Sequence, residues 1–151
     1  GFSPEDERLK NSFEIARDKG LDIQFEFSMG EAIHPNTARI EAIGKSGEKV
    51  ELLGISVGGG NIEIIEVNGM QVSFNCEYPT LLVFHTDVPG VISKITAVLM
   101  EEGINIAFMK VFRTSRNDDA SMVIETDENV PRELIPKILD CAPGIKRVSV
   151  I

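Results

Sequence analysis

Cysteine is scarce in this 151-residue chain. Its two cysteines, Cys76 and Cys141, lie far apart and form no CxxC or CxxxC pair. Self-contained zinc and iron–sulfur sites draw their ligands from such closely spaced pairs, so we expect no metal site within the chain. Both thiols are expected to be buried and reduced, as is usual in a cytoplasmic protein.

Basic residues and long apolar runs are also in short supply. Lys and Arg together number 15 against 24 Asp and Glu, which gives a net charge of −9. Nucleic-acid binding needs clustered basic side chains, so we expect no nucleic-acid partner. No apolar run approaches the roughly 20 residues that cross a bilayer, and no leader pattern occurs. We therefore expect a cytoplasmic protein without a membrane partner. Because Gly1 rather than Met stands first, we expect a piece of a longer protein.

The first half of the chain shows a helix pattern followed by strand patterns. Ser3 is suited to cap a helix, Pro4 to occupy its first turn and Gly20 to end it. Asn68-Gly69 between two apolar runs predicts a hairpin. Alternating or β-branched residues between glycines predict the strands. The predicted strands are Leu21–Phe27, part of Ala38–Ile43, Val50–Val57, Ile62–Val67 and Met70–Phe74.

The second half alternates strand and helix patterns in the order βαββαβ. This order predicts a ferredoxin-like, four-stranded antiparallel sheet with two helices on one face. We place the boundary between the halves near Asn75–Tyr78, which gives domains over residues 1–75 and 78–151. The predicted elements are Pro79–His85, the helix Gly90–Glu102, Asn105–Arg113, Ala120–Thr126, the helix Pro131–Asp140 and Ile145–Ile151.

Two of these strands are apolar on both faces. Leu81 and Val83 alternate with Leu82 and Phe84, and the segment Asn105–Arg113 repeats the pattern. Helices can cover one face of such a sheet, so the second face or the edge of the sheet is expected to meet a partner. We expect that partner to be a second copy of the chain, giving a homodimer.

The junction Asp87-Val88-Pro89-Gly90-Val91 ends an apolar strand and begins a helix. The first N–H groups of a helix have no intrahelical partner, and its dipole favours a carboxylate. Gly90 has no side chain to obstruct a ligand, and Asp87 can accept hydrogen bonds from an ammonium. An amino acid carries both groups. The alternative is that Asp87 caps the helix and Pro89-Gly90 merely turns the chain.

This second half resembles an ACT domain. The resemblance rests on Asp-x-Pro-Gly-Val-Ile before the first helix and on Gly-Ile-Asn-Ile, residues 103–106, before the second strand. ACT domains generally pair and bind amino acids at the interface. The resemblance therefore implies a ligand site at that interface. Its candidate residues are Asp87, Val88, Gly90, Val91, Asn105 and Ile106.

Further strings extend the resemblance over the whole chain. PEDERLKNSFEIARDKGLDI, HPNTARI and GISVGGGNIEI precede the ACT-like unit, and this series resembles the beta chain of the iron–sulfur-dependent L-serine dehydratases. This resemblance implies an α+β fold. Residues 1–75, a helix plus an antiparallel sheet, would be part of an allosteric substrate-binding domain, and the ACT domain would follow. His34 and Asn36 form a possible second site, although a loop histidine is more often simply solvated.

The dehydratase resemblance also implies a reaction and partners. The family converts L-serine to pyruvate and ammonia with a [4Fe–4S] cluster. The cluster cysteines belong to the alpha portion, so this chain is expected to hold no cofactor and no catalytic residue. The implied partners are the alpha chain and L-serine or another small amino acid. Two alternatives stay open: a serine-sensing region of a D-3-phosphoglycerate dehydrogenase, and a ligand-free dimerisation module.

Overall fold

The computed structural model describes residues 2–3, 5–27, 34–47 and 49–151. These residues divide into two compact units. The first unit contains the described residues up to 27, and the second contains those from 34 onwards.

The first unit contains a short helical segment. A 3-10 helix over Glu7–Asn11 leads directly into helix α1, Ser12–Asp18. Asp6 rather than Ser3 caps it, because the Asp6 carboxylate accepts a hydrogen bond of 2.9 Å from the Arg8 N–H. The predicted role of Pro4 lies outside the described residues.

The strand predicted over Leu21–Phe27 is wrong. These residues have no regular secondary structure, and Phe27 is 98% exposed. Their alternating pattern satisfies the periodicity of a strand, but a strand also needs a neighbouring strand to pair its backbone groups. Phe25 instead packs its ring edge against Phe13, with ring centroids 5.7 Å apart.

Two four-stranded antiparallel sheets form the second unit. The first sheet has its strands in chain order, and the predicted Asn68-Gly69 turn joins the last two strands. Both residues have positive φ, as a tight hairpin turn requires. The strands are β1 (Thr37–Ile43), β2 (Lys49–Gly58), β3 (Asn61–Val67) and β4 (Met70–Phe74).

The second sheet has the strand order β6-β7-β5-β8 and carries two helices. This is the βαββαβ arrangement that the sequence predicts. Helix α3 begins at Leu134 rather than at Pro131, because the two residues before it form a turn. The elements are β5 (Thr80–Thr86), α2 (Val91–Glu101), β6 (Ile106–Arg113), β7 (Asp119–Thr126), α3 (Leu134–Asp140) and β8 (Ile145–Val150).

The main core lies between the second sheet and its helices. Leu81 and Val83 of β5 contribute to it from the sheet, and both are fully buried. Ile95 and Leu99 of α2 meet them, since these positions recur with the helical period. Ile138 contributes from α3, also with no exposed surface.

A smaller core lies on the opposite face of the second sheet. Leu82 and Phe84 of β5 pack there against Val72 and Phe74 of β4. The partner for this face is therefore the first sheet of the same chain. A second copy therefore does not cover this face. The sequence pattern reveals an apolar face without revealing what packs on it. Pairing of two copies through the edge of the sheet stays a prediction.

One apolar edge of the second sheet remains uncovered. Strand β6 is an edge strand, and it exposes the side chains of Phe108 (53%), Met109 (41%) and Val111 (40%). An exposed apolar edge strand offers free backbone groups as well as apolar surface to a pairing partner.

Candidate functional site

The start of helix α2 is open. Gly90 stands at the N-cap position with φ +96°, a left-handed conformation that favours glycine. A Cβ atom placed on Gly90 would meet no atom within 4 Å. No side chain caps the helix, and the adjacent Val91 is buried. The first N–H groups of α2 therefore keep the unpaired character that suits an anion.

Asp87 does not cap this helix. Its carboxylate accepts a hydrogen bond from the Arg113 guanidinium, with 3.1 Å between Nη1 and Oδ2. Its backbone N–H donates to the Asp118 carbonyl at 2.8 Å, which fixes the loop beside the start of β7. The capping alternative is therefore wrong, and the Asp87 carboxylate is held at the surface by a cation.

Arg113 cannot be recognised as part of this site from the sequence. It ends strand β6, and its partner Asp87 lies 26 positions earlier in the chain. Only the strand order, which brings the ends of β5 and β6 to the same end of the sheet, places the two together. A second cation, Lys146, pairs with Asp119 beside them.

Asp118 adds an acidic group to this end of the sheet. The Asp119 backbone N–H and the Ser115 hydroxyl both donate to its carboxylate. These hydrogen bonds hold the pKa of Asp118 below its ordinary value. The loop therefore stays anionic at neutral pH, and a cationic group of a ligand is favoured near it.

Val88 anchors the same loop. Its side chain packs at the margin of the main core, and its backbone N–H donates to the Thr86 carbonyl at 2.9 Å. The loop position is thereby tied to the core beneath it, while Gly90 stays open to solvent.

The remaining candidates, Asn105 and Ile106, lie elsewhere. The Asn105 side-chain amide donates to Asp127 at 2.6 Å, and its backbone N–H donates to Glu128 at 3.1 Å. Strands β5 and β6 run parallel to each other, since both are antiparallel to β7. Asn105 therefore lies at the end of the sheet where β5 starts, whereas Asp87 lies where β5 finishes. Seven residues of strand separate these ends by about 20 Å.

The second candidate pair, His34 and Asn36, forms a local turn before β1. The Asn36 N–H donates to His34 Nδ1 at 3.2 Å, and the Thr37 hydroxyl donates to the His34 carbonyl at 2.5 Å. The Asn36 carbonyl accepts from the Ser56 N–H at 2.9 Å. These contacts account for a turn that enters the first sheet, and whether the pair also binds a ligand stays a prediction.

The two cysteines do not have the environment that was predicted. Both are free, but Cys76 is exposed and Cys141 is half-buried. Desolvation raises the pKa of each thiol above its ordinary value. No cluster of three or more His, Cys, Asp or Glu side chains suited to a metal occurs within the described ranges. Among the helices that the structure describes, none is long and apolar enough to span a membrane.

Comparison with known proteins assigns the family. The ACT domain model matches residues 79–142. A probable L-serine dehydratase beta chain of Bacillus subtilis is 39% identical over 150 residues, which cover 99% of this chain and 67% of that relative. The chain belongs to the L-serine dehydratase beta chain family. The L-serine dehydratase beta chain of Peptoniphilus asaccharolyticus is 32% identical, and this chain spans 66% of its length.

The same region resembles part of another enzyme. A D-3-phosphoglycerate dehydrogenase of Methanocaldococcus jannaschii is 34% identical over 143 residues, which cover 95% of this chain and 26% of that protein. The similarity to the dehydratase beta chains covers nearly all of this chain and about two thirds of each relative. The similarity to the dehydrogenase covers only about a quarter of that enzyme.

The residues of this chain do not fit an iron–sulfur cluster. A [4Fe–4S] cluster usually takes four cysteine thiolates. The chain has two cysteines, and they lie on different elements with raised thiol pKa values. No chemical step through a cluster can therefore be assigned to these residues.

Proposed function

We propose that this chain is the amino-acid-sensing regulatory region of an L-serine dehydratase. L-serine, or another small amino acid, would bind at the start of helix α2 and shift the balance between two arrangements of the enzyme. A ligand can shift such a balance only by the difference between its affinities for the two arrangements.

The open start of α2 carries this proposal. The ligand carboxylate would accept hydrogen bonds from the first N–H groups of the helix, next to Gly90. The ligand ammonium would lie towards Asp87, whose carboxylate is at the surface. Gly90 supports this arrangement, since a side chain there would occupy the space that the structure leaves open.

Pairing of two chains would complete the site. Asp87 and Asn105 lie at opposite ends of one sheet, so a single chain cannot bring them to one small ligand. Antiparallel pairing of β6 with the β6 strand of a second copy would place Asn105 of one chain beside the Asp87 loop of the other. The exposed Met109 and Val111 support such a contact, because pairing would remove apolar surface from water. We therefore propose a homodimer formed through the edge of the ACT sheet.

The chemistry of the parent enzyme is proposed from the family. The parent would convert L-serine to pyruvate and ammonia, with an iron–sulfur cluster held by an alpha chain that this chain binds. The present chain would be inactive alone, since it offers neither the cysteines for a cluster nor, among its described residues, a metal-binding group.

Calorimetric titration with L-serine tests the sensing role. Wild-type protein should release or absorb heat with a 1:1 ratio of ligand to chain. Gly90→Leu should lose this signal. Gly47→Leu is the matched control, because Gly47 also has positive φ and open space around it but lies in the connection between β1 and β2. Equal heats from wild type and Gly90→Leu would refute the α2 site.

The dehydrogenase alternative is supported by the likeness to D-3-phosphoglycerate dehydrogenase. Co-expression with a dehydratase alpha chain separates the two parents. An oxygen-sensitive brown complex that forms pyruvate from L-serine supports the dehydratase, and NAD-dependent activity supports the dehydrogenase. A dimer that gives no heat with any amino acid would leave the ligand-free dimerisation module.

A further inference from the structure

A groove lies where the first sheet meets strand β6, and it is separate from the start of α2. Its volume is about 680 Å³, within the range of roughly 300–1,000 Å³ that small-molecule sites occupy. Strands β3 and β4 form one side, and β6 with the segment before β5 forms the other. The tip of the β2–β3 hairpin, at Gly60, lies on its rim.

Glu125 is the unexplained group in this groove. Its residue surface is only 6% exposed, yet its side chain has no hydrogen bond or ion pair with any other described residue. It lies on the same face of β7 as Val123, so its carboxylate enters the space between the two sheets. The carboxylate oxygens keep some contact with water in the groove, and no described side chain pairs with them, so the cationic group of a ligand would find an unpaired anion there.

The opposite polar group of the groove is Lys110. Its ammonium donates to the Ser73 hydroxyl at 2.8 Å and to the Ser73 carbonyl at 3.3 Å. The Ser73 hydroxyl in turn donates to Glu63 at 2.6 Å. These bonds fix the direction of the Lys110 side chain and use two of its three N–H donors, so one donor is left for a ligand.

Apolar groups line the rest of the groove. The rings of Tyr78 and Phe108 meet edge to face, with centroids 5.5 Å apart. Val57 and Ile62 face the groove from the first sheet. Among the described residues that line the groove, the carboxylates of Glu63, Glu77 and Glu125 outnumber the single ammonium, that of Lys110. The groove therefore favours a ligand with a positive group.

We infer that this groove binds a small apolar amino acid, with its ammonium on Glu125, its carboxylate on Lys110 and its side chain against Tyr78 and Phe108. The inference goes beyond sensing at α2, since the groove uses none of those residues. A ligand here contacts both sheets at once. Its binding therefore stabilises their packing and gives the chain a second input.

Tyr78 makes the groove directly observable. It is the single tyrosine of the chain, which has no tryptophan, so the tyrosine emission reports this site alone. The probes are L-leucine, 3-methylbutylamine and 4-methylpentanoate, which share the same apolar part. L-leucine carries both an ammonium and a carboxylate, 3-methylbutylamine carries only the ammonium, and 4-methylpentanoate carries only the carboxylate. We expect L-leucine to change the emission with the highest affinity, the amine to bind more weakly, and the carboxylate to bind least.

Substitutions assign the two charged contacts. Glu125→Gln should weaken L-leucine binding about tenfold or more, since it removes the charge that pairs with the ligand ammonium. Lys110→Met should weaken L-leucine binding while leaving the affinity for 3-methylbutylamine unchanged. Glu133→Gln is the control, since Glu133 is exposed before helix α3 and the same chemical change there leaves the groove intact.

Several results would overturn the inference. These are an unchanged Tyr78 emission in wild type at the solubility limit of L-leucine, equal affinities of Glu125→Gln and Glu133→Gln, and 4-methylpentanoate binding as tightly as L-leucine.

Amide chemical shifts of the wild-type protein provide a measurement that needs no variant. Shifts at Gly60 and Phe108 support the groove, and shifts confined to Gly90 and Val91 assign the ligand to α2 and refute the groove.

Discussion

Arg113 holds the Asp87 carboxylate at 3.1 Å across the ends of two strands, at the place where an amino acid would bring its ammonium. Arg113 would therefore offset part of the negative charge that attracts the ligand ammonium. We predict that Arg113→Gln increases the affinity for L-serine a few-fold, because a pair this exposed is worth about 0–1 kcal/mol. Calorimetry measures the change.

The neighbouring pair Lys146–Asp119 provides the control for that prediction. Lys146→Gln removes the same charge at the same end of the sheet but leaves Asp87 in its contact, so the L-serine affinity should stay near the wild-type value. Weaker binding by Arg113→Gln would contradict the charge offset and would make Arg113 a contact of the ligand carboxylate.

Phe74 is predicted to be essential for the packing of the two sheets. Its ring is 3% exposed in the smaller core, and truncation of a buried Phe to Ala costs about 3–5 kcal/mol. Phe74→Ala should therefore lower the urea midpoint of the second unit strongly, as followed by Tyr78 emission. Phe27→Ala, at a residue that is 98% exposed, should leave the midpoint unchanged. Equal midpoints for both variants would argue against the observed packing.

The exposed edge strand β6 predicts the state of association. Val111→Lys should shift a homodimer to monomer in sedimentation experiments, because it places a charge on the apolar edge that would pair. Ile43→Lys is the comparison, since Ile43 is 68% exposed on β1, the edge of the other sheet. A wild-type chain that stays monomeric, or a dimer lost only with Ile43→Lys, would refute pairing through β6.

The thiols predict a pH dependence of reactivity. Partial desolvation raises the pKa of Cys141 and of Cys76 above the ordinary 9.0, and the thiolate is the reactive form. Iodoacetamide should therefore modify the native chain more slowly than the urea-unfolded chain near pH 8. Between pH 9.0 and the higher native pKa, the native state retains protons that the unfolded chain releases. The free energy of unfolding should consequently fall as the pH rises through that range. Equal native and unfolded rates would contradict the raised pKa values.

Residues 80–151 were predicted to within a few positions because their patterns are local. The stripe of Val91, Ile95, Val98 and Leu99 is sufficient to predict α2, and all four side chains are buried. The error at Leu21–Phe27 shows the limit of such patterns, since alternation describes a side-chain period but not whether another strand is present to pair with it.

The candidate site was predictable only in part. Gly90 could be identified from the sequence, since a glycine beside a helix start is a local signal. The ion pair of Asp87 with Arg113 could not, because it depends on strand order. The isolation of Glu125 is likewise a property of the packed sheets: in the sequence it is one acidic residue in an apolar strand.

Strand β5 contributes side chains to both hydrophobic cores, with Leu81 and Val83 in the main core and Leu82 and Phe84 in the smaller one. The segment that matches the ACT domain model is consequently not a detachable module in this protein. If this segment were expressed without the first sheet, its apolar face would be exposed to water and the segment would tend to aggregate. A chimaera that transplants this sensor to another enzyme should therefore carry β1–β4 along with it.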